Sequence, residues 1–250
     1  MEKTKRYPID GKTLRTSGTL SLSRNLFKER ARDIPLAGRS EVLVCSGGPA
    51  GIAAALGAAR SGAKVRLIEL AGCLGGVWTA GLLTCILDGG NKTGIMKELL
   101  DTFGGQVYDP EQAKVVLEDK LTEAGVELRY HTMVTGAVCD ENGRLTTVLT
   151  ESKSGREAWT ADCFVDCTGD GDLAAQAGCA FDVGKDKSCS CQPMSMMALL
   201  TGLHPETHEV FKNREHFFEF GNSVPMGEAA GRAAALAAKT GKLPHQLTLV

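Results

Sequence analysis

Ser46, Gly47, Gly48 and Gly51, with Glu69 further along the chain, are the residues whose types and spacing can act together. A backbone that comes close to a pyrophosphate leaves no room for a side chain, which suits glycine at position 48. Gly51 lets the helix that follows pack against the strands. The start of that helix offers unpaired N–H groups and the positive end of its dipole to an anion. An acid at the end of the next strand can accept both ribose hydroxyls, and it favours an unphosphorylated adenosine ribose over a 2′-phosphate. The chemistry is a grip on the pyrophosphate and ribose of a dinucleotide. The pattern Gly-x-Gly-x-x-Gly would place glycines at 46, 48 and 51, and this chain has Ser46 at the first of them. A serine is tolerated there if the turn keeps a negative φ. Its hydroxyl could donate to a phosphate, or the substitution could weaken binding. Gly47 keeps some local freedom. Taken singly, a glycine-rich turn is a common βα connection and a strand-end acid is commonly just solvated. The combination is what points to a nucleotide.

The elements that must position these residues are also legible. Glu41–Cys45 reads as a short apolar strand, and Pro49–Ser61 as a helix with proline in its first turn. Six alanines keep that helix narrow enough to lie close to a sheet. Lys64–Leu70 is the second strand. A glycine-dense loop follows at 72–81, then a helical pattern over Lys92–Phe103. Asp109 and Pro110 open another helix, as N-cap and first residue, and Gly125 ends it. Glu127–His131 is a strand. Met133–Cys139 and Leu145–Glu151 flank the hairpin turn Asp140-Glu141-Asn142-Gly143. A short strand begins at Trp159, and Cys163–Asp166 leads into Thr168-Gly169-Asp170-Gly171-Asp172, with a helix starting near Leu173. The expected organisation has an N-terminal extension at 1–39, with a short helix near 26–32. A nucleotide-binding domain follows at 40–185, with a β-meander at about 133–160. The start of a second domain, incomplete, is expected at 186–250. In that last part Glu228–Lys239 reads as an alanine-rich helix ended by Gly241, and 246–250 as the beginning of a strand. A chain ending as a strand begins suggests a partner segment.

Composition sets bounds on function. The 250 residues are 43% hydrophobic and 23% charged, as in an ordinary globular protein with a full core. A net charge of −2 gives no basic field for nucleic acid or an anionic membrane. No apolar run reaches the roughly 20 residues of a membrane helix, and the first residues lack the apolar segment of a signal peptide. Nine cysteines without a Cys-x-x-Cys pair read as reduced, buried thiols of a cytoplasmic protein.

Glu69, the run Leu74-Gly75-Gly76-Val77-Trp78-Thr79-Ala80-Gly81, then Tyr108-Asp109-Pro110-Glu111, Val165–Leu173 and Gln192-Pro193-Met194-Ser195 together resemble the FAD-dependent oxidoreductases of the glutathione-reductase-like superfamily. The resemblance spans roughly residues 40–250. It implies an α/β, Rossmann-like flavoprotein fold with a parallel sheet and a β-meander, and FAD as cofactor. It also implies roles. Ser46, Gly48, Pro49, Ala50 and Gly51 would surround the pyrophosphate, and Glu69 would hold the adenosine ribose. Gly75 and Gly76 would bring N–H groups toward the phosphates or the ribityl side. The strand exit at Thr132–Val134 would meet adenine, through the backbone of Val134. Thr168, Gly169 and Asp170 would close over the cofactor from the other side, although Asp170 and Asp172 also suit a solvated turn that caps the next helix. Members of the group usually continue further, to a late glycine-aspartate segment that holds the ribityl chain. This implies a truncated frame or a partner chain supplying the rest.

Other candidates are weaker. Cys73 and Cys85 flank Gly75-Gly76, but their separation does not match the compact pair of disulfide reductases. Cys179, Cys189 and Cys191 are too loosely spaced for a strong metal or cluster motif. His204 and His208 are four apart, yet Pro205 pushes His204 out of helical geometry. The Met194, Met196 and Met197 group reads as core or cavity lining. Trp78 suits packing, though its place after Gly76 could put it near the isoalloxazine. Trp78, Thr79 and Gln192 are the possible flavin-side neighbours. No catalytic base and no metal ligand is assigned. The leading expectation is an FAD-dependent oxidoreductase that accepts hydride from a small-molecule substrate. The alternatives are an NAD-dependent dehydrogenase using the same loop and acid, or a non-catalytic or split flavoenzyme subunit.

Overall fold

The computed structural model describes residues 31–86, 89–184, 191, 223–242 and 246. The expected helix near 26–32, Gln192, the methionine group and the histidines at 204 and 208 lie wholly or largely outside them.

Six strands form one sheet: β1 (Leu36–Cys45), β2 (Val65–Ile68), β3 (Glu127–Arg129), β4 (Met133–Cys139), β5 (Leu145–Ser152) and β6 (Gly155–Asp166). Their spatial order is β3-β2-β1-β6-β5-β4. The first four in that order are parallel, with Val44 opposite Leu67 on one side and Val165 on the other. β4 and β5 complete the sheet with antiparallel pairings. The fold is thus a Rossmann-like α/β arrangement in which the antiparallel strands continue the parallel sheet. Two expectations change here. β6 is one continuous strand of twelve residues, not a short strand followed by another. The same strand is both the last strand of the meander and a central parallel strand, because Gly155, at φ +98, closes a tight turn directly from Ser152. β1 also begins earlier than its apolar core suggests, since Leu36–Ser40 pair with β6 although they are largely exposed.

β1 is buried on both faces, which is why it reads as a continuous apolar run. Val42 and Val44 join a large cluster with α1 (Pro49–Arg60), α2 (Gly94–Phe103) and α3 (Pro110–Glu123), while Leu43 and Cys45 join a second cluster with Ile68, Val148, Trp159 and Leu173 of α4 (Asp172–Gln176). Asp109 caps α3 as its position predicts, its carboxylate accepting from the Glu111 and Gln112 amides. Glu98 of α2 ties three helices together by accepting from Arg60 and Lys120.

The last helix, α5 (Ser223–Thr240), falls in the segment expected to begin a second domain, yet it packs on α1. The contact is backbone to backbone. A Cβ added at Gly227 would lie 2.0 Å from the Ala50 carbonyl oxygen, and one at Gly231 would lie 1.9 Å from that of Ala54. Lys239 reaches the Ser61 carbonyl at the other end, so the two helices run side by side in the same direction. Glu228 fixes α5 to α2 as well, accepting from the Ile95 amide in the first turn of α2 at 3.0 Å. The alanines of α1 thus serve a second helix as well as the sheet.

Candidate functional site

The turn after β1 reverses the chain within a few residues. Ser46 donates its amide to the Ile68 carbonyl, which fastens the turn to β2. Its φ is +83°, so the negative φ expected for a serine here is not found. The reason lies in Gly51: a Cβ there would sit 1.9 Å from the Ser46 carbonyl oxygen and 3.3 Å from Cys167 Cβ. The start of α1 is folded down onto the Ser46 carbonyl, and the chain reaches that position through the left-handed region. For a residue with a side chain this costs on the order of 1 kcal/mol. Gly51 therefore serves closeness within its own turn and to the end of β6.

Glu69, just past β2, is 6% exposed. A carboxylate so buried must be hydrogen-bonded. Oε2 accepts from the Gly47 amide at 2.5 Å and the Ser46 hydroxyl at 3.1 Å, and Oε1 accepts from the Ala71 amide at 2.7 Å. The acid thus faces the turn and holds it, and Gly47 is wedged between Glu69 and Leu74, whose Cδ2 lies 2.6 Å from a built Cβ. The backbone of Glu69 is fixed too, donating to Arg129 and accepting from Thr132.

Gly48 is the N-cap of α1, and no side chain caps that helix. At φ −68° its backbone suits any residue, and a Cβ there would meet nothing within 4 Å. The contacts of the described residues would permit alanine. The open space lies at the N-terminus of a twelve-residue helix, where an anion is favoured. Pro49 occupies the first helical position, where a missing N–H costs nothing.

The glycine-dense loop packs on this turn. The Gly75 amide donates to the Gly47 carbonyl, and a Cβ at Gly76 would lie 3.0 Å from Gly48 Cα. Both glycines have positive φ, +107° and +52°. Thr79 is fully buried and donates its hydroxyl to the Leu74 carbonyl, so it fixes the loop from behind. Trp78 is 1% exposed and meets Phe103 edge-on, with its carbonyl accepting from Tyr108. Trp78 is thus part of the main core cluster, as the packing reading of it expects.

From the other side, the Cys167 amide donates to the Cys45 carbonyl, bringing Thr168 beside the turn. Asp166, which sequence reasoning treated only as a strand end, organises this loop. It accepts from the amide and hydroxyl of Thr168 and from the Ala174 amide, and Thr168 in turn accepts from the Asp172 amide. The signal for it was an acid two residues ahead of a threonine-glycine turn and a helix start. Gly169, at φ +91°, and Asp170 are exposed with nothing built against Gly169. Val134 pairs with Thr150 and packs against the second cluster, reaching the site through Thr132, which is 1% exposed. The structure therefore joins Ser46, Gly47, Gly48, Gly51, Glu69, Gly75 and Gly76 in direct contact. Thr168 and Val134 are one residue or two away, and Gly169 and Asp170 stand apart.

Burial pushes the Cys45 thiol up, and it pushes Cys167 up to about 12, in both cases with help from the Asp166 carboxylate. Both stay neutral under the turn. Cys73 and Cys85 are free thiols. Among the described residues, no group of three or more His, Cys, Asp or Glu is placed to hold a metal, and no helix is long and apolar enough to cross a membrane.

No curated protein matches the chain. Solved structures show weak likeness, among them the following three. THI4 of Thermovibrio ammonificans is 20% identical, with a TM-score of 0.44 over 55% of this chain and 61% of its own. A geranylgeranyl bacteriochlorophyll reductase-like protein of Thermoplasma acidophilum is 19% identical, with a TM-score of 0.44 over 56% and 42%. L-proline dehydrogenase of P. horikoshii is 23% identical, with a TM-score of 0.39 over 57% and 25%. The chain thus spans less than two thirds of the length of each. The sequence model of the FAD dependent oxidoreductases matches residues 41–225, which contain the turn, Glu69, the glycine loop and the end of β6. The chain belongs to the FAD dependent oxidoreductase family, and FAD is its cofactor.

Proposed function

We propose that the turn at 46–51, Glu69 and the Gly75–Gly76 loop hold the ADP half of FAD, and that the loaded protein oxidises a small-molecule substrate by taking up its hydride. Bound FAD supplies the two-electron chemistry. The observation that carries the reading is Gly48: nothing among the described residues requires glycine there, and a Cβ would fill the space in front of the α1 N-terminus. That is the need of a pyrophosphate approached by backbone.

In this reading Gly48, Ala50 and Gly51 present the first N–H groups of α1 to the phosphates. Glu69 accepts the adenosine ribose hydroxyls while holding Gly47 in place. Gly75 and Gly76 keep a second stretch of backbone close to the same phosphates. Asp166 holds Thr168 beside the turn, with Gly169 and Asp170 forming the outer edge. Val134 lies toward the adenine end.

The test is titration of the purified full chain with FAD, followed by flavin fluorescence, then anaerobic addition of candidate hydride donors with loss of yellow colour as the readout. The reading expects saturable quenching and bleaching by at least one donor class, such as amines, 2-hydroxy acids or reduced nicotinamides. A chain that is folded by circular dichroism and leaves FAD fluorescence unchanged contradicts it.

A further inference from the structure

Glu69 has a problem of supply. A carboxylate offers about four lone-pair positions. Oε2 already accepts from two donors, the Gly47 amide and the Ser46 hydroxyl, and Oε1 accepts from the Ala71 amide. One position, on Oε1, is left for a ribose that brings two hydroxyls. The Gly47 and Ala71 donors are backbone and built into the turn. The Ser46 hydroxyl is the one donor that can rotate away. Glycine at position 46 would remove both this competitor and the strain of φ +83°, and the chain carries serine instead.

We propose that Ser46 is a specificity-setting residue: its hydroxyl stands in for one ribose hydroxyl on Glu69 Oε2 and is displaced when the nucleotide binds. This rests on the reading that Glu69 receives an adenosine ribose. One ribose hydroxyl then binds without contest on Oε1. The other only exchanges with the serine, one hydrogen bond replacing another, so it adds little affinity. The site of this chain is accordingly tolerant of a ribose that lacks that one hydroxyl. Freed on Oε2, the displaced Ser46 hydroxyl can turn to the neighbouring phosphate.

The experiment compares ADP, 2′-deoxy-ADP and 3′-deoxy-ADP by titration calorimetry on the full chain, on Ser46→Ala and on Ser46→Gly. Ala removes the hydroxyl while keeping the Cβ, and Gly gives a variant with the turn relaxed. In the wild-type chain, one of the two deoxy analogues should bind within about threefold of ADP. In both variants the same analogue should bind roughly tenfold more weakly than ADP, as expected when a hydrogen bond to a charged group is lost without replacement. A merely structural Ser46 would shift all three nucleotides together. Equal selectivity in the three chains, with ADP bound, overturns the inference alone. No ADP binding by any folded chain overturns the nucleotide reading, and the inference with it.

Discussion

Substituting Gly48 by alanine separates what the fold needs from what the ligand needs. At φ −68° and ψ −175° alanine is unstrained, and its Cβ meets no atom within 4 Å. Reduced freedom of the unfolded chain stabilises such a change by about 0.4–1 kcal/mol. Alanine is a poorer N-cap than glycine by about 0.5–1 kcal/mol. The two nearly cancel, so the ligand-free protein should melt within about 4 °C of the wild type. A pyrophosphate at the α1 N-terminus, however, would meet that methyl group. Overpacking of this kind costs about 1–3 kcal/mol, or roughly five- to 150-fold in Kd. Scanning fluorimetry without ligand and FAD titration on the same preparation measure both halves. A variant that binds FAD like the wild type refutes the assignment of this space to the phosphates. A variant that loses several kcal/mol of stability refutes the reading of Gly48 as free of contacts.

Gly231→Ala should do the reverse. Alanine normally improves a helix interior, but here its Cβ would sit 1.9 Å from the Ala54 carbonyl oxygen, so a loss of about 2 kcal/mol or more is expected in urea unfolding. Asp109→Ala removes the acceptor for two α3 amides and should cost about 1 kcal/mol in the same assay. Arg60, hydrogen-bonded to Glu98 with Lys120 in support, lowers that carboxyl to about 2 from the usual 4.5. A depressed pKa contributes stability above the unfolded value and loses it as pH falls toward 2. The pair is partly exposed, so screening leaves about 1 kcal/mol. Glu98→Gln should therefore be less stable than the wild type at pH 7, with the gap closing below pH 4.5 and vanishing only as pH falls to about 2, seen by thermal melts across that range.

Much of this architecture is written locally. Asp109 and Pro110 start α3 because a carboxylate cap and a fixed φ act within three residues. The run at 42–45 announces a strand buried on both faces, because nothing polar interrupts it. What stayed hidden depends on distant partners. The role of Gly227 and Gly231 is set by Ala50 and Ala54, more than 170 positions away, and a small-residue spacing on an alanine-rich helix does not name its neighbour. Ser46 shows the limit within the site. Its identity suggested negative φ, whereas the closeness of Gly51 to its carbonyl decides the backbone. Glu69 is legible as an acid at a strand end, but that it holds Gly47 follows only from the folded turn.

Competition for the loaded site tests the central claim directly. If, as proposed, the turn, Glu69 and the glycine loop hold the ADP half, ADP should displace FAD from the full chain in a fluorescence titration, while FMN, which lacks the adenosine, should leave it bound. Displacement by FMN with no effect of ADP would contradict the account.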